Sequence, residues 1–199
     1  MAMIKKLGYD KHVQLEHNAK RLCGLWLVFI GGVIVLATVI GGPFVLNPFI
    51  FMIGYGVGIY LTDFNKWVQQ KFTDGDLSKF QLKMSKYGVM SLFPLMFMLG
   101  GPFIPSGDWR MVWLGTFLAT GIHFFPFYYV HGKSMIYLAI VCSVLAIVGM
   151  FMKEIPFIYF GIMDGGVKTI FGIYLLFFTN RVTSNNSQNK NAFKLNRSV

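Results

Sequence analysis

Charge is scarce in this chain. Asp and Glu together number 8 in 199 residues, charged residues make up 13%, and hydrophobic residues make up 55%. Ordinary soluble domains carry roughly 25% charged residues, so this composition excludes a typical water-soluble fold. Cysteine is scarcer, with Cys23 and Cys142 alone and far apart, which excludes a disulfide framework and a thiolate metal site. Both read as small apolar side chains. A Gly-rich phosphate loop, a His-Glu-x-x-His helix and a Gly-x-Ser-x-Gly elbow are all missing, and with them the common nucleotide, zinc and serine-hydrolase chemistries. No cofactor or metal is expected, and His123 and His131 lack the spacing for haem ligation.

What is present is apolar length. Six stretches, at about 23–40, 45–63, 87–104, 110–130, 134–152 and 156–178, approach the roughly 20 apolar residues that carry a helix across a bilayer core of about 30 Å. The fold expected is all-α, a polytopic bundle of six transmembrane helices. Residues 1–22 form an N-terminal segment, residues 64–86 a basic loop or interfacial helix, and residues 180–199 an Asn-, Ser- and Lys-rich tail that reads as disordered. The first stretch follows a long polar lead and lacks a small-residue cleavage site, so it reads as an anchor rather than a signal peptide.

The net charge is +10, and its distribution carries more information than its size. With the N-terminus inside, 15 Lys and Arg residues fall on the cytoplasmic side, against Arg110 and Lys153 opposite and Lys168 within a span. The positive-inside bias then predicts a multi-pass plasma-membrane protein with both termini cytoplasmic. Attraction to anionic headgroups accounts for the basic excess without invoking nucleic acid. Lys66, Lys71, Lys79, Lys83 and Lys86, interleaved with Trp67, Val68, Phe72 and Phe80, predict a lipid-surface or partner-docking segment.

Gly41-Gly42-Pro43-Phe44 recurs as Gly100-Gly101-Pro102-Phe103, and Pro156-Phe157 marks a third turn. The pattern suggests three repeated helix pairs, although Gly-Pro reversals are common on their own account.

Polar residues inside the apolar stretches are the candidate site. Asp164 and Lys168 stand at i and i+4 of the last stretch, where they can pair. An ionised side chain at mid-bilayer costs about 2.5–3.5 kcal/mol on insertion scales, so both should face the bundle interior. The pair reads as part of a functional pocket or as a structural lock. His123 lies at similar depth in the fourth stretch. Three residues on, Pro126 is expected to free the Ile122 carbonyl and kink the helix, which would permit gating or give His123 a carbonyl partner. Tyr55, between Gly54 and Gly56, would add a hydroxyl to the same pocket. Asp63, with Lys66 one turn on, reads as an interfacial cap or surface pair.

The segment Gly121-Ile122-His123-Phe124-Phe125-Pro126-Phe127-Tyr128-Tyr129, followed by His131 and Lys133, resembles an uncharacterised family of small bacterial six-helix membrane proteins with a Gly-x-His-Phe-x-Pro-Phe/Tyr signature. The resemblance implies the six-helix fold and singles out His123 and Pro126, but implies no activity. Function is therefore expected from the residues: an interior polar pocket that binds or moves a small solute or proton. Two alternatives stand beside it, a non-catalytic scaffold, immunity or regulatory subunit docking a partner through its basic loop, and an intramembrane enzyme on lipid substrates. The last needs an acidic cluster or nucleophile that Asp164 alone does not supply.

Overall fold

A computed structural model describes residues 17–179, and within them the protein is all-α, with no strand. The expectations for residues 1–16 and 180–199, including the disordered tail, lie outside the described residues. The elements are α1 (Lys20–Val39), α2 (Pro48–Ile59) running into a π turn at Tyr60–Phe64, α3 (Lys66–Phe72), α4 (Lys79–Leu99), α5 (Trp109–His123), α6 (Tyr128–His131), α7 (Ser134–Phe151) and α8 (Phe157–Phe177). Three of them, α1, α7 and α8, are long and apolar enough to cross a membrane, and Pro48–Phe64 is a shorter apolar helix.

Local chemistry sets several boundaries. Asn47 accepts from the backbone N–H groups of Phe49 and Ile50, with Pro48 in the first helical position, so α2 starts there. Ser78 and Gln81 form a reciprocal capping box that starts α4 at Lys79, well before the apolar run at residue 87. Lys79, Lys83 and Lys86 consequently lie on the first turns of a helix, and only Lys66 and Lys71 lie on the short α3. The fourth apolar stretch is broken rather than merely kinked. Residues 124–127 form successive i→i−3 turns between α5 and α6, and the Phe125 N–H reaches the Ile122 carbonyl at 3.2 Å. The carbonyl that Pro126 would have orphaned has thus regained a donor.

Contacts between helices order the bundle laterally as α2, α1, α8, α7, α5, α4. A core cluster of Ile30, Ile34, Phe51, Trp113, Phe117 and Phe160 ties α1, α2, α5 and α8 together. Both Gly-Gly-Pro-Phe sequences end in short 3-10 turns, at Gly42–Phe44 and Gly101–Phe103. They differ in backbone, since only the first places Gly42 and Val45 at positive φ.

The most extensive interface joins the first long helix to the last, α1 to α8, in antiparallel fashion. Gly24 faces Gly172, Gly31 faces Gly165, and Thr38 faces Gly161. A Cβ on Gly165 would sit 2.6 Å from the Gly31 carbonyl oxygen, and one on Gly31 would sit 2.5 Å from that of Gly165. Only hydrogen fits between these backbones, which is the geometry that small residues allow between packed helices.

The two ends of the bundle differ in charge and in bonding. One end collects Lys20, Arg21, Lys66, Lys71, Lys79, Lys83 and Lys133. There His17 bonds the Val130 carbonyl at 3.0 Å, and Gln81 donates to Tyr129 at 3.2 Å. At the opposite end Arg110 donates to the carbonyls of Ile155 (2.6 Å), Gly149 (2.8 Å) and Met152 (2.9 Å). That guanidinium satisfies carbonyls left free where α7 ends, and its charge suits a helix C-terminus.

His131, next to Lys133 at the basic end, is 7% exposed and its ring stacks on Phe127. Burial lowers the imidazole of His17, which precedes α1, below the ordinary 6.5. A depressed histidine favours the folded state fully above the unfolded value and loses that advantage as pH falls below it.

Two outcomes follow for stability. Gly165→Ala should destabilise the protein by about 1–3 kcal/mol through overpacking. Gly166→Ala, whose Cβ meets nothing within 4 Å, should be neutral or slightly stabilising; equal melting temperatures for the two variants in detergent would refute the tight α1–α8 seam. Stability should also fall as pH drops below about 6.5, where the unfolded chain takes up a proton that the half-buried His17 resists. His17→Gln should flatten that slope, and an unchanged slope between about pH 7 and about pH 5 would show that His17 is not the titrating group.

Candidate functional site

The polar residues of the interior gather where α5, α7 and α8 meet. Asp164 is 0% and Lys168 2% exposed, and their side chains form a direct ion pair along α8. Counted from Phe157 at about 1.5 Å per residue, Asp164 lies roughly 10 Å and Lys168 roughly 16 Å along a helix of roughly 31 Å. A bare ion pair at such depth would leave donors and acceptors unsatisfied, so the surrounding helices matter.

Thr120 on α5 supplies the next contact. Its hydroxyl donates to the Phe117 carbonyl at 2.8 Å, which turns an oxygen lone pair outward, and the Lys168 ammonium donates to that oxygen at 3.2 Å. The Phe117 ring centroid lies 5.4 Å from Lys168 Nζ, close enough for the ring's negative face to attract the cation. One helical turn of α5 thus offers a hydroxyl and a π face to the same ammonium.

His123 ends α5 beside this group, 6% exposed and within the electrostatic neighbourhood of Lys168. Its Nδ1 bonds the Thr120 carbonyl at 2.5 Å, which places the proton on Nδ1 as the donor. The expected partner, a carbonyl freed by Pro126, is therefore replaced by one a turn earlier in the helix. Phe124 and Phe127 pack on the ring, with centroids 4.4 and 5.6 Å away.

Cys142 and Ser143 of α7 complete the surroundings. Cys142 lies beside Asp164. A Cβ on Gly121 would collide with Ser143, 2.5 Å from its Oγ, so α5 and α7 also meet closely. Two buried oxygens, Ser143 Oγ and Asp164 Oδ1, have no hydrogen-bond partner. Among the described residues, no three His, Cys, Asp or Glu side chains gather as a metal-binding set.

Of the expected pocket residues, His123, Asp164 and Lys168 are brought together. Tyr55 packs instead against Trp26 and Phe51, with ring centroids 5.0 and 5.4 Å away, on the α1–α2 side. Pro126 lies in the break below His123. Asp63 Oδ2 accepts from its neighbour Thr62 at 3.3 Å; the Asp164–Lys168 pair is the ion pair found among the described residues, so the expected Asp63–Lys66 pair does not form. Lys66 and Lys71 flank Trp67 on α3, with the Lys71 ammonium 4.8 Å from the indole centroid, whereas Lys79, Lys83 and Lys86 line the start of α4.

Sequence reasoning overlooked Thr120, Phe117 and Arg110. For Thr120 a signal existed: it stands three residues before His123 in an apolar helix, hence on the same face.

Geometry and composition together define the class: an all-α helical bundle with membrane-compatible helices and a sealed ionic cluster. The chain belongs to a family of unknown function, DUF6609, whose match covers residues 10–185. Neither a curated protein nor a solved structure matches it.

The cluster's energetics can be tested by removing one charge or both. Asp164→Ala should cost about 3–5 kcal/mol, because it strands the Lys168 charge in the interior, whereas the double change Asp164→Leu with Lys168→Met should cost far less. Additive losses in a thermal-unfolding cycle would show that the two charges do not depend on each other.

Proposed function

We propose that this chain is a plasma-membrane protein with six spans, both termini in the cytoplasm, whose buried cluster of His123, Thr120, Lys168 and Asp164 binds and passes protons. The spans are α1, α2 with its π turn, α4, the broken α5–α6 unit, α7 and α8. Supporting the membrane reading, large apolar side chains stand exposed around the bundle, among them Phe49 (72%), Phe97 (78%), Phe151 (82%) and Phe177 (77%). Water would penalise such a surface heavily, and lipid would not. Lysines collected at one end are what the positive-inside bias produces, and an even number of spans returns both termini to that side.

The observation that carries the functional reading is the complete burial of a carboxylate and an ammonium at mid-depth, with Asp164 Oδ1 unpartnered. Burial this complete narrows the expectation from a solute pocket to a proton, which needs hydrogen-bonded groups rather than a cavity. When a proton reaches Asp164 in concert with one leaving the Lys168 ammonium past Thr120 toward His123, the pair becomes a neutral acid and amine. Transfer from the acid back to the amine then restores the ion pair, so in the concerted exchange the pair carries no net charge. Thr120 holds the ammonium in place, His123 is the titratable group next along α5, and the break around Pro126 lets the end of that helix shift.

A second reading takes the sealing itself as evidence for a structural lock. The protein is then a non-catalytic scaffold, and the exposed basic surface of α3 and the start of α4 docks a partner.

Proteoliposomes containing a pH-sensitive dye and an imposed potassium gradient separate the two. Wild-type protein should admit protons faster than empty vesicles, and Thr120→Val and His123→Ala should each lower the rate by about tenfold or more, the range that a positioned proton-transfer group supplies. Wild-type vesicles no leakier than empty ones would eliminate the proton reading in favour of the scaffold.

A further inference from the structure

At the basic end, a crevice of about 650 Å³ opens between the start of α1, the α6–α7 turn and the last turns of α8. Lys20 and Lys133 line it, together with His17 and Ser134, and no Asp or Glu does. Ser134 is the first residue of α7, an 18-residue helix whose N-terminus has no side-chain cap, so its positive dipole end opens here without a built-in anion. Two lysines and an uncapped helix start thus converge with no negative charge among the lining groups.

The walls change character along the helix axes. One turn into α7 stands Tyr137, 62% exposed, and across from it on α8 are Ile170 (67%) and Tyr174 (51%). Positive charge therefore lies at the rim, with a tyrosine-edged apolar groove leading inward along α7 and α8. This order, cation then Tyr then aliphatic, is the order of a bilayer leaflet from headgroup to acyl chain.

We propose that this crevice holds the phosphate of an anionic phospholipid, with one acyl chain lying in the α7–α8 groove. Lys20 and Lys133 bind the phosphate as point charges, the start of α7 donates to it, and Tyr137, Ile170 and Tyr174 flank the chain. The proposal rests on the membrane reading above, which places this end at the anionic cytoplasmic leaflet. A soluble phosphate shares the headgroup chemistry but leaves the apolar groove without an occupant. The site is separate from α3 and the start of α4, where the sequence alone had placed lipid docking.

Melting temperatures of the detergent-purified full chain test this with dioleoyl phosphatidylglycerol, dioleoyl phosphatidylcholine or inorganic phosphate added. Phosphatidylglycerol should raise the midpoint by several degrees, and the other two should not, through linkage of binding to folding. Lys20→Gln with Lys133→Gln should weaken the apparent phosphatidylglycerol affinity roughly tenfold or more, at about 1 kcal/mol per lysine, and Lys79→Gln with Lys83→Gln should leave it unchanged. Should the double variant fail to fold, Lys133→Gln alone serves, because Lys133 is exposed, and about a fivefold loss is then expected. Equal losses in the α4 variant would overturn the proposal in favour of diffuse surface charge. An equal response to inorganic phosphate would overturn it in favour of a soluble anion, and no response to phosphatidylglycerol would overturn it outright. Failure of the membrane reading is recognised separately, as a chain that leaves the membrane fraction without detergent.

Discussion

The closest constraint in this protein is the distance between α1 and α8. Packed antiparallel through Gly24, Gly31 and Thr38 on one side and Gly161, Gly165 and Gly172 on the other, the first and last long helices touch backbone to backbone. Asp164 and Lys168 lie on the arc of α8 next to this glycine stripe, so what fixes α8 against α1 also fixes the direction in which the two charges point. They face α5 and α7, where Thr120, Phe117 and Cys142 receive them. A gap of even one methyl group along the seam would loosen the helix that carries both charges. In lipid, where burial of apolar area does not drive helices together, that contact geometry matters more than it would in water.

The same seam explains what was legible in the sequence and what was not. The all-α class could be read because apolar content and helix-length runs are one-dimensional properties. Asp164, Lys168 and His123 could be picked out because an ionisable residue in an apolar helix is conspicuous wherever its neighbours lie. Thr120 shares a helix face with His123, but that signal is weak, since a threonine in an apolar helix usually bonds its own backbone, as Thr116 does to Val112 at 2.9 Å. What sets Thr120 apart is Lys168 opposite it. Tyr55 failed for the converse reason: depth along the chain was readable, but the face of α2 was not, and that face turned toward Trp26. The heptad spacing of Gly24, Gly31 and Thr38 was on the page throughout, yet Gly32, whose Cβ would meet nothing, looks the same to composition. Only the partner helix tells the two glycines apart.

Helix boundaries show the competition between capping and hydropathy. Ser78 and Gln81 start α4 among lysines, because two satisfied backbone donors outweigh the absence of an apolar face for the first turns. Around Pro126 the helix ends, because successive phenylalanines and the missing N–H favour i→i−3 turns that still occupy the Ile122 carbonyl. The backbone is thereby irregular right beside His123 without leaving that carbonyl unsatisfied, the condition under which non-helical backbone survives at membrane depth.

The two ends of the bundle solve the helix-terminus problem in opposite ways, and the contrast bears on where the molecule can respond to its surroundings. At the less charged end, Arg110 spends its guanidinium on three carbonyls of the α7–α8 turn, with the Phe160 ring 5.4 Å away. Those three carbonyls are satisfied from within the chain, while the Nε of the same guanidinium is buried without a partner. At the basic end the start of α7 has no comparable cap, and its lysines have no acidic partner in the crevice. Asp74 and Asp76 reach the same end beside Asn18, but within the crevice itself the lysines face no acidic lining group. The interior cluster, by contrast, balances its own charge in either protonation state of the Asp164–Lys168 pair. The uncompensated positive charge of the crevice is thus found where α1, α7 and α8 meet, and not at the Arg110 end or in the paired core.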